Sequence, residues 1–197
     1  MPRSLGFNLE TARAAILREF WLRGYEGTSL TDLERATSLV RTSLYNSFGN
    51  KPDMFLDSLK LYHQSVEAQI DAATNDRGID ALAEVIAAMM EGSDRTAGQP
   101  AGCLMVSAAT HSAALEDRHL QLVRGYRQML SRKARTALDR DRASGRLGPT
   151  IDIESTAEFL VCVVWGALAA QCLNEGTNPA AAGAAVLRKT MESWLDN

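Results

Sequence analysis

The sequence predicts an all-α fold with a small N-terminal unit and a larger helical body. Apolar residues recur at three- and four-residue spacing along almost every segment, which is the pattern of amphipathic helices. Alternating apolar and polar runs flanked by turns, which mark half-buried strands, are scarce. Gly, Pro or Asn interrupts the helical pattern at the expected breaks. With 197 residues, 46% of them hydrophobic, the chain can bury a sizeable core.

Three short helices are expected within the first fifty residues. The first runs from about Leu9 to Arg23, and Gly24 is placed to end it in a left-handed turn. The second follows Ser29, because Asp32 three residues later forms a capping box with the shorter acid. The third covers about residues 40–47 and ends at a Gly-Asn pair.

Longer helices should form the rest of the chain. One opens at Lys51-Pro52-Asp53, where Pro and Asp suit the first helical turn, and it links the small unit to the body. Further helices are expected near residues 79–91, 101–112, 116–144, 153–174 and 179–195, with loops at 93–100 and 145–150. The expected domains are therefore residues 1–50 and 51–197.

Composition excludes several classes of protein. The balance of residues is that of a globular chain, not of a collagen-like, low-complexity or disordered one. Three cysteines do not make the framework of a disulfide-rich scaffold, and the N-terminus lacks a secretory signal pattern, so a cytoplasmic location is expected. No apolar run is expected to cross a membrane. The net charge is −3, but residues 1–51 carry seven Lys/Arg against five Asp/Glu, which permits a basic contact face.

A bracing helix followed by two short helices is the arrangement of a helix-turn-helix unit, whose last helix enters the DNA major groove. That helix is rich in side chains able to bond phosphates or base edges. We expect the DNA contacts to come from Arg41, Thr42, Ser43, Tyr45, Asn46, Ser47 and Lys51, with a second phosphate clamp at Ser29 and Thr31. The alternative is a three-helix unit with no role in DNA binding.

The stretch from Ile16 to Leu59 resembles the DNA-binding domain of the TetR family of transcriptional regulators. The matching landmarks are Phe20, Gly24-Tyr25, Thr28-Ser29, Leu33, Ala36, Ser43-Leu44-Tyr45, Phe48 and Lys51. The resemblance implies DNA contacts at Thr31, Arg41, Thr42, Ser43, Tyr45, Ser47 and Lys51. Three positions depart from the family pattern: Ser38 replaces a turn Gly, Val40 replaces a small polar cap, and Gly49 replaces a common Pro. Ser tolerates a left-handed turn less well and Val cannot cap a helix, so a strained or reshaped turn is expected.

The same resemblance implies a homodimer in which the last two helices pair with their twins as a four-helix bundle. The run from Phe159 to Leu168 is apolar nearly all round and contains Val164, which we expect at the dimer contact. Small residues at Gly166, Ala169 and Ala170 would let another helix approach. The last helix carries a stripe of Ala181, Ala184, Leu187, Met191 and Trp194. The alternative is that both helices serve an intramolecular core.

A small-molecule pocket is also implied by the resemblance, between the linking helix and the dimer helices. Its candidate lining residues are Met89, Cys103, Met105, His111, Tyr126, Met129 and Trp165. Met adapts to varied apolar shapes, and His or Tyr can orient a polar ligand group. The alternative for each is a place in the core. A ligand that prefers a splayed dimer would release the protein from DNA.

Cys103 is a candidate reactive thiol. It precedes an expected helix, whose N-terminus would lower the pKa of the thiol and favour the thiolate. The Gly-Cys-Leu run resembles that of a TetR subgroup that includes regulators sensing electrophiles or oxidants through a cysteine. The alternative is a small buried apolar residue, and Cys162 and Cys172 are interpreted as packing residues.

An enzyme is the first competing class, but the sequence has no phosphate loop, zinc-ligand spacing or nucleophile elbow. The eight-residue gaps between Cys103, His111 and His119 do not favour a metal site. We therefore expect no catalytic residues, cofactor or metal. The second competing class is an α-helical interaction adaptor that never binds DNA. The favoured hypothesis is a cytoplasmic, homodimeric repressor that binds a pseudo-palindromic double-stranded DNA operator and responds to an unidentified small molecule.

Overall fold

The computed structural model describes residues 9–75, 77–91, 102–173 and 179–195. Apart from one isolated bridge between Leu147 and Leu195, the regular structure over these ranges is helical. The helices are α1 (Leu9–Gly27), α2 (Leu30–Thr37), α3 (Arg41–Phe48), α4 (Lys51–Thr74), α5 (Ile79–Glu91), α6 (Leu104–Thr110), α7 (Asp117–Ala143), α8 (Ile153–Leu173) and α9 (Pro179–Glu192), with a 3₁₀ turn at Ser112–Ala114. The predicted all-α class is confirmed. The predicted loop at 93–100 lies outside the described residues.

The N-terminal unit is held together by local caps and a small apolar core. Gly24 interrupts α1 at φ 72°, as expected, and the Thr28 hydroxyl donates a hydrogen bond to its carbonyl oxygen at 2.7 Å. The predicted capping box of Ser29 and Asp32 starts α2. The fully buried Phe20, Leu33 and Leu44 join α1, α2 and α3 into one core.

The turn between α2 and α3 carries the expected irregularity. Ser38 has φ 57°, and it is the one non-glycine residue with positive φ in the described part of the chain. A Ser in this left-handed conformation costs about 1 kcal/mol relative to Gly. Val40 begins α3 with an extended backbone and no side-chain cap. Of the two expected outcomes, the left-handed Ser38 supports a strained turn.

Helix α4 connects the N-terminal unit to the body. Asn50 and Asp53 form its capping box, and Pro52 lies in the first turn. Phe55 and Leu59, near its start, are buried in the core shared with α1, whereas Tyr62 and Ile70 are buried further along the helix. The helix therefore runs over 24 residues from the N-terminal unit into the body.

The stripe predicted in the last helix serves the protomer core. Ala184, Leu187 and Met191 are buried, and α9 packs chiefly against α5. Opposite this stripe, α9 exposes Ala182 and Val186, the latter to 67%. The intramolecular alternative is thus correct for the stripe, because α5 offers it an apolar partner within the same chain.

Helix α8 is apolar on both its buried and its exposed sides. Leu160, Val164 and Leu168 are buried between α5 and α7, so the expectation that Val164 lies at the dimer contact is wrong. Phe159, Cys162 and Gly166 are exposed instead. By length and composition alone, residues 153–172 form a helix that could cross a membrane, but one such helix is weak evidence for a span and does not contradict the sequence expectation.

Candidate nucleic-acid interface and effector cleft

Most of the predicted DNA contacts lie on the exposed side of α3. Thr42, Asn46 and Ser47 are exposed, and Tyr45 is 41% exposed, while Leu44 alone of the helix is buried. Ser43 is half-buried. The helix thus has one side anchored to α1 and α2 and a polar side facing solvent, as a groove-binding helix requires.

Two cations flank this polar side. The Arg41 guanidinium, whose side chain is 53% exposed, pairs with Glu34 of α2 at 3.3 Å. The Lys51 ammonium lies 4.6 Å from the centre of the Tyr25 ring, and partial burial lowers its pKa from the ordinary value. Both cations are therefore held by weak surface contacts that a phosphate group can replace.

The predicted phosphate clamp at the start of α2 is largely occupied by the chain itself. The Ser29 hydroxyl accepts from the Asp32 backbone N–H at 3.1 Å and donates to the Asp32 carboxylate at 2.6 Å. These hydrogen bonds lower the pKa of Asp32, so a negative charge already lies at this helix terminus. Thr31 is exposed beside it. Both side chains of this pair are exposed, and the Ser29 hydroxyl is the one engaged by Asp32.

A cleft of about 500 Å³ lies between α1, α4, α5 and α8. Its described lining is mainly apolar, with Tyr62, Ser65, Gln69 and Gln171 among the residues that carry polar groups and no side chain that is charged at neutral pH. The lining residues are Leu17, Trp21, Tyr62, Ser65, Val66, Gln69, Ile70, Ala73, Val85, Ala88, Met89, Gly102, Leu168 and Gln171. The size is that of a small-molecule site. One end is fixed by the Trp21 indole N–H, which donates to the Gly102 carbonyl at 3.0 Å.

The seven predicted ligand residues do not converge on this cleft. Met89 lines it, whereas Met105, Tyr126 and Met129 are fully buried in the core. Trp165 is half-buried and packs near the Tyr126 ring, at 6.4 Å between ring centres. His111 is exposed and lines a separate hollow of about 310 Å³ near Gly24. Sequence reasoning missed Tyr62, Val66 and Gln69 of α4, although their three- and four-residue spacing could have indicated a shared face.

Cys103 lies behind the cleft, between two phenols. Its sulfur donates a long hydrogen bond to the Tyr126 hydroxyl at 3.9 Å, and the Tyr62 hydroxyl lies close enough to influence its pKa. Burial raises the pKa of the Cys103 thiol, although hydrogen bonds from Tyr62 and from backbone N–H groups of α6 act in the opposite direction. The start of α6 thus acts in the expected direction, but loss of solvation outweighs it, so the expected net lowering of the thiol pKa is wrong.

The start of α7 holds the start of α4. The Arg118 guanidinium pairs with the Asp53 carboxylate at 2.7 Å. His119 is fully buried, and its Nδ1 accepts from the Glu116 backbone N–H at 3.2 Å, so Nε2 carries the proton and donates to the Pro52 carbonyl at 2.9 Å. These contacts tie the body to the first turn after the N-terminal unit.

Among the residues that the structure describes, no group of three or more His, Cys, Asp or Glu side chains is arranged to hold a metal ion. His111 bonds locally to the Ser107 carbonyl oxygen, and His119 is committed to the contact with Pro52.

The sequence matches two protein families and is similar to a transcriptional repressor. Residues 13–57 match "Bacterial regulatory proteins, tetR family", and residues 78–196 match "Tetracyclin repressor-like, C-terminal domain". The HTH-type transcriptional repressor ComR of Escherichia coli (strain K12) is 30% identical over 171 residues, which cover 81% of this chain and 77% of ComR.

Solved structures share the fold over nearly the whole chain. A TetR-family regulator from Agrobacterium tumefaciens superposes with a TM-score of 0.80 at 22% identity, covering 96% of this chain and 100% of its own. A cysteine mutant of the TetR-family regulator CifR, in complex with 26 bp double-strand operator DNA, has a TM-score of 0.74 at 26% identity, with coverage of 98% and 99%.

Proposed function

The chain belongs to the TetR family of bacterial regulators, and from this premise we propose that it is a sequence-specific DNA-binding repressor. The observation that carries the proposal is the polar, solvent-facing side of α3, anchored by the buried Leu44. Thr42, Tyr45, Asn46 and Ser47 contact the DNA, with Arg41, Ser43 and Lys51 at their flanks. Thr31 adds a phosphate contact, and Ser29 supports it by fixing the start of α2. The similarity to ComR, a transcriptional repressor, favours repression.

The proposal includes a homodimer formed through α8 and α9. These helices pack against each other, and each exposes small or apolar residues: Phe159, Cys162 and Gly166 on α8, Ala182 and Val186 on α9. We call these five residues the outer face. Exposed aliphatic and aromatic side chains of this kind favour a protein contact over solvent. Two-fold symmetry presents two copies of α3 to a pseudo-palindromic operator.

The cleft beside α4 is the proposed effector site. Because its described lining carries no charge, an uncharged and mainly apolar molecule fits it, with Ser65 or Gln69 bonding one polar group. Binding that displaces α4 moves its first turn, which contacts Arg118 and His119 and adjoins α3. Repression ends when the ligand binds more tightly to an arrangement of the dimer in which the two copies of α3 no longer fit adjacent major grooves.

The domain division at residues 50 and 51 is part of the proposal, supported by the helix break at Gly49 and the new cap at Asn50. A cytoplasmic location follows from an operator in genomic DNA. No catalytic activity, metal or cofactor is proposed.

Modification of Cys103 by a thiol-reactive compound is the competing trigger for release from the operator. The burial and the raised pKa of the Cys103 thiol oppose it.

A salt titration of DNA binding tests the proposal. The full-length protein is incubated with fragments of its source genome, and the retained fragments are titrated at increasing salt. We expect selective retention of a few fragments. The logarithm of the binding constant should fall with the logarithm of the salt concentration, with a slope of about −0.9 per phosphate contact. An adaptor without DNA binding would retain no fragment selectively, and that result would refute the proposal.

A further inference from the structure

Val40 is one of the two most exposed large apolar side chains in the described part of the chain. It is 67% exposed, and it lies directly before Arg41 at the start of α3. Exposing an isopropyl group gives folding no benefit, because the hydrophobic effect favours its burial. Its position is within the solvent-facing surface proposed to bind DNA.

The side chain at this position also leaves α3 without a cap. Val40 has the extended backbone of an N-cap residue, at φ −74° and ψ 154°, but forms no side-chain capping hydrogen bond. The neighbouring helices are capped, α2 by Ser29 and α4 by Asn50. Ser, Thr, Asn or Asp would be favoured here for stability alone. Val40 thus exposes an apolar side chain and leaves a helix uncapped at the same residue. Such local conflicts with stability are typical of residues that make functional contacts outside the fold.

The position determines which contact is available. In helix-turn-helix proteins the N-terminal residues of the recognition helix approach the base edges in the major groove. An aliphatic side chain cannot bond to phosphates or to base donors and acceptors, but it can pack on the C5-methyl group of thymine. Thymine is the standard DNA base that offers a methyl group in that groove.

We propose that Val40 reads sequence directly, by packing its isopropyl group against the methyl group of one thymine in each operator half-site. This inference rests on the proposed function as a DNA-binding regulator. It adds a specificity-determining residue of apolar character to contacts that are otherwise polar.

The test replaces thymine by uracil, which differs only in lacking the methyl group. Preferred duplexes are first selected from random DNA with the full-length wild-type protein. The two symmetry-related thymines at each position, one in each half-site, are then replaced together by uracil. At one position we expect the replacement to weaken binding by about fourfold per half-site, which is the value of one buried methyl group. At the other positions the replacement should change the affinity by less than about twofold.

Two variants separate base reading from a structural role. In Val40→Ala the uracil effect at that pair should fall below about twofold. In Val40→Ser the restored cap should raise the melting temperature, whereas the thymine preference should disappear. A purely structural role predicts instead that the more stable Val40→Ser protein keeps the wild-type preference.

The outcomes distinguish this inference from the proposed function. If selection enriches no sequence, both are overturned. If selection succeeds but no thymine pair responds to uracil, or if Val40→Ala keeps the wild-type uracil effect, the role of Val40 is overturned and DNA binding stands.

Discussion

The Asp141 carboxylate of α7 caps the start of α5, because its Oδ2 accepts the Ile79 backbone N–H at 2.7 Å. Asp141 is only 2% exposed. The close approach requires glycine at position 78, since a Cβ there would lie 2.2 Å from Asp141 Oδ1. A side chain distant in sequence thus caps this helix, and it joins α5 to α7.

Replacing Asp141 should destabilise the protein. We expect Asp141→Ala to lower the free energy of unfolding by about 2–3 kcal/mol, because it removes a charge-assisted hydrogen bond to a buried donor. Urea denaturation measures the change. Asp139→Ala, an exposed residue of the same helix, should change stability by less than about 0.5 kcal/mol. Equal effects of the two variants would contradict the capping role.

Tyr45 should be needed for DNA binding but not for folding. Its ring is 41% exposed on α3, so Tyr45→Ala removes a DNA contact without opening the core. We expect operator affinity to fall by at least about tenfold, since each half-site loses a contact of about 1 kcal/mol. Gel-shift titration measures affinity, with circular dichroism and size-exclusion chromatography as controls. Wild-type affinity in this variant would remove Tyr45 from the interface.

A carboxylate on the outer face should dissociate the dimer. Phe159→Glu places two buried, unpaired charges in the contact, so we expect the dimer dissociation constant to rise by at least about a hundredfold. Light scattering coupled to size-exclusion chromatography reports the mass. Gln121→Glu, exposed on α7, should leave the dimer intact. Val164→Glu, by contrast, should unfold the protomer because Val164 is 4% exposed within it. A dimeric Phe159→Glu would exclude this face as the contact.

Filling the cleft should separate effector response from DNA binding. Val66 lines the cleft from α4, and Val66→Trp occupies space otherwise open to a ligand. We expect Val66→Trp to bind the operator with an affinity close to that of the wild type. Uncharged apolar compounds that release the wild-type protein from the operator should no longer release the variant. Fluorescence anisotropy of labelled operator DNA measures both. Undiminished release from the variant would indicate an effector site elsewhere.

The buried Cys103 should be the slowest of the three cysteines to react with iodoacetamide at neutral pH, since Cys172 is half-buried and Cys162 is exposed on the protomer. Because Cys162 lies on the outer face, we expect it to react rapidly in the dissociated protomer and slowly in the dimer. Because burial raises the pKa of Cys103 above its ordinary value of 9.0, its thiolate fraction should become appreciable only above that pH. Peptide mass spectrometry gives each rate.

The same shift in pKa links Cys103 to stability at high pH. Its protonated thiol contributes stability that is fully present below the unfolded-state pKa and is lost as pH rises through the higher folded-state pKa. Rapid alkylation of Cys103 at neutral pH in the folded protein would contradict this and favour the thiol-sensing trigger.

Local chemistry made the N-terminal unit predictable. The capping box of Ser29 and Asp32, the break at Gly24 and the start of α4 at Pro52 all involve neighbours within a few residues. Such contacts are encoded by spacing, so they appear in the sequence. The exposed polar residues of α3 follow from the same periodicity once Leu44 is taken as the anchor.

The effector cleft was not predictable in the same way. Tyr62 and Val66 face it because α4 crosses α1 and α5 at a particular angle, and several apolar stripes of similar strength could have lined it. The predicted residues Met105 and Met129 entered the core instead. The pKa of Cys103 likewise depended on burial by α4 and α7, which outweighed its helix terminus.

The sequence by itself determined the all-α class, the order of the helices, the helix-turn-helix unit and the side of α3 that meets solvent, because helix periodicity and capping are short-range properties of the chain. The tertiary structure decided which stripe of α8 and α9 is core and which is outer face. It also decided where the cleft opens and how Asp141 caps a helix 62 residues away in sequence. These depend on how helices of comparable hydrophobicity pair, and pairing is a competition between long-range contacts that spacing along the chain does not resolve.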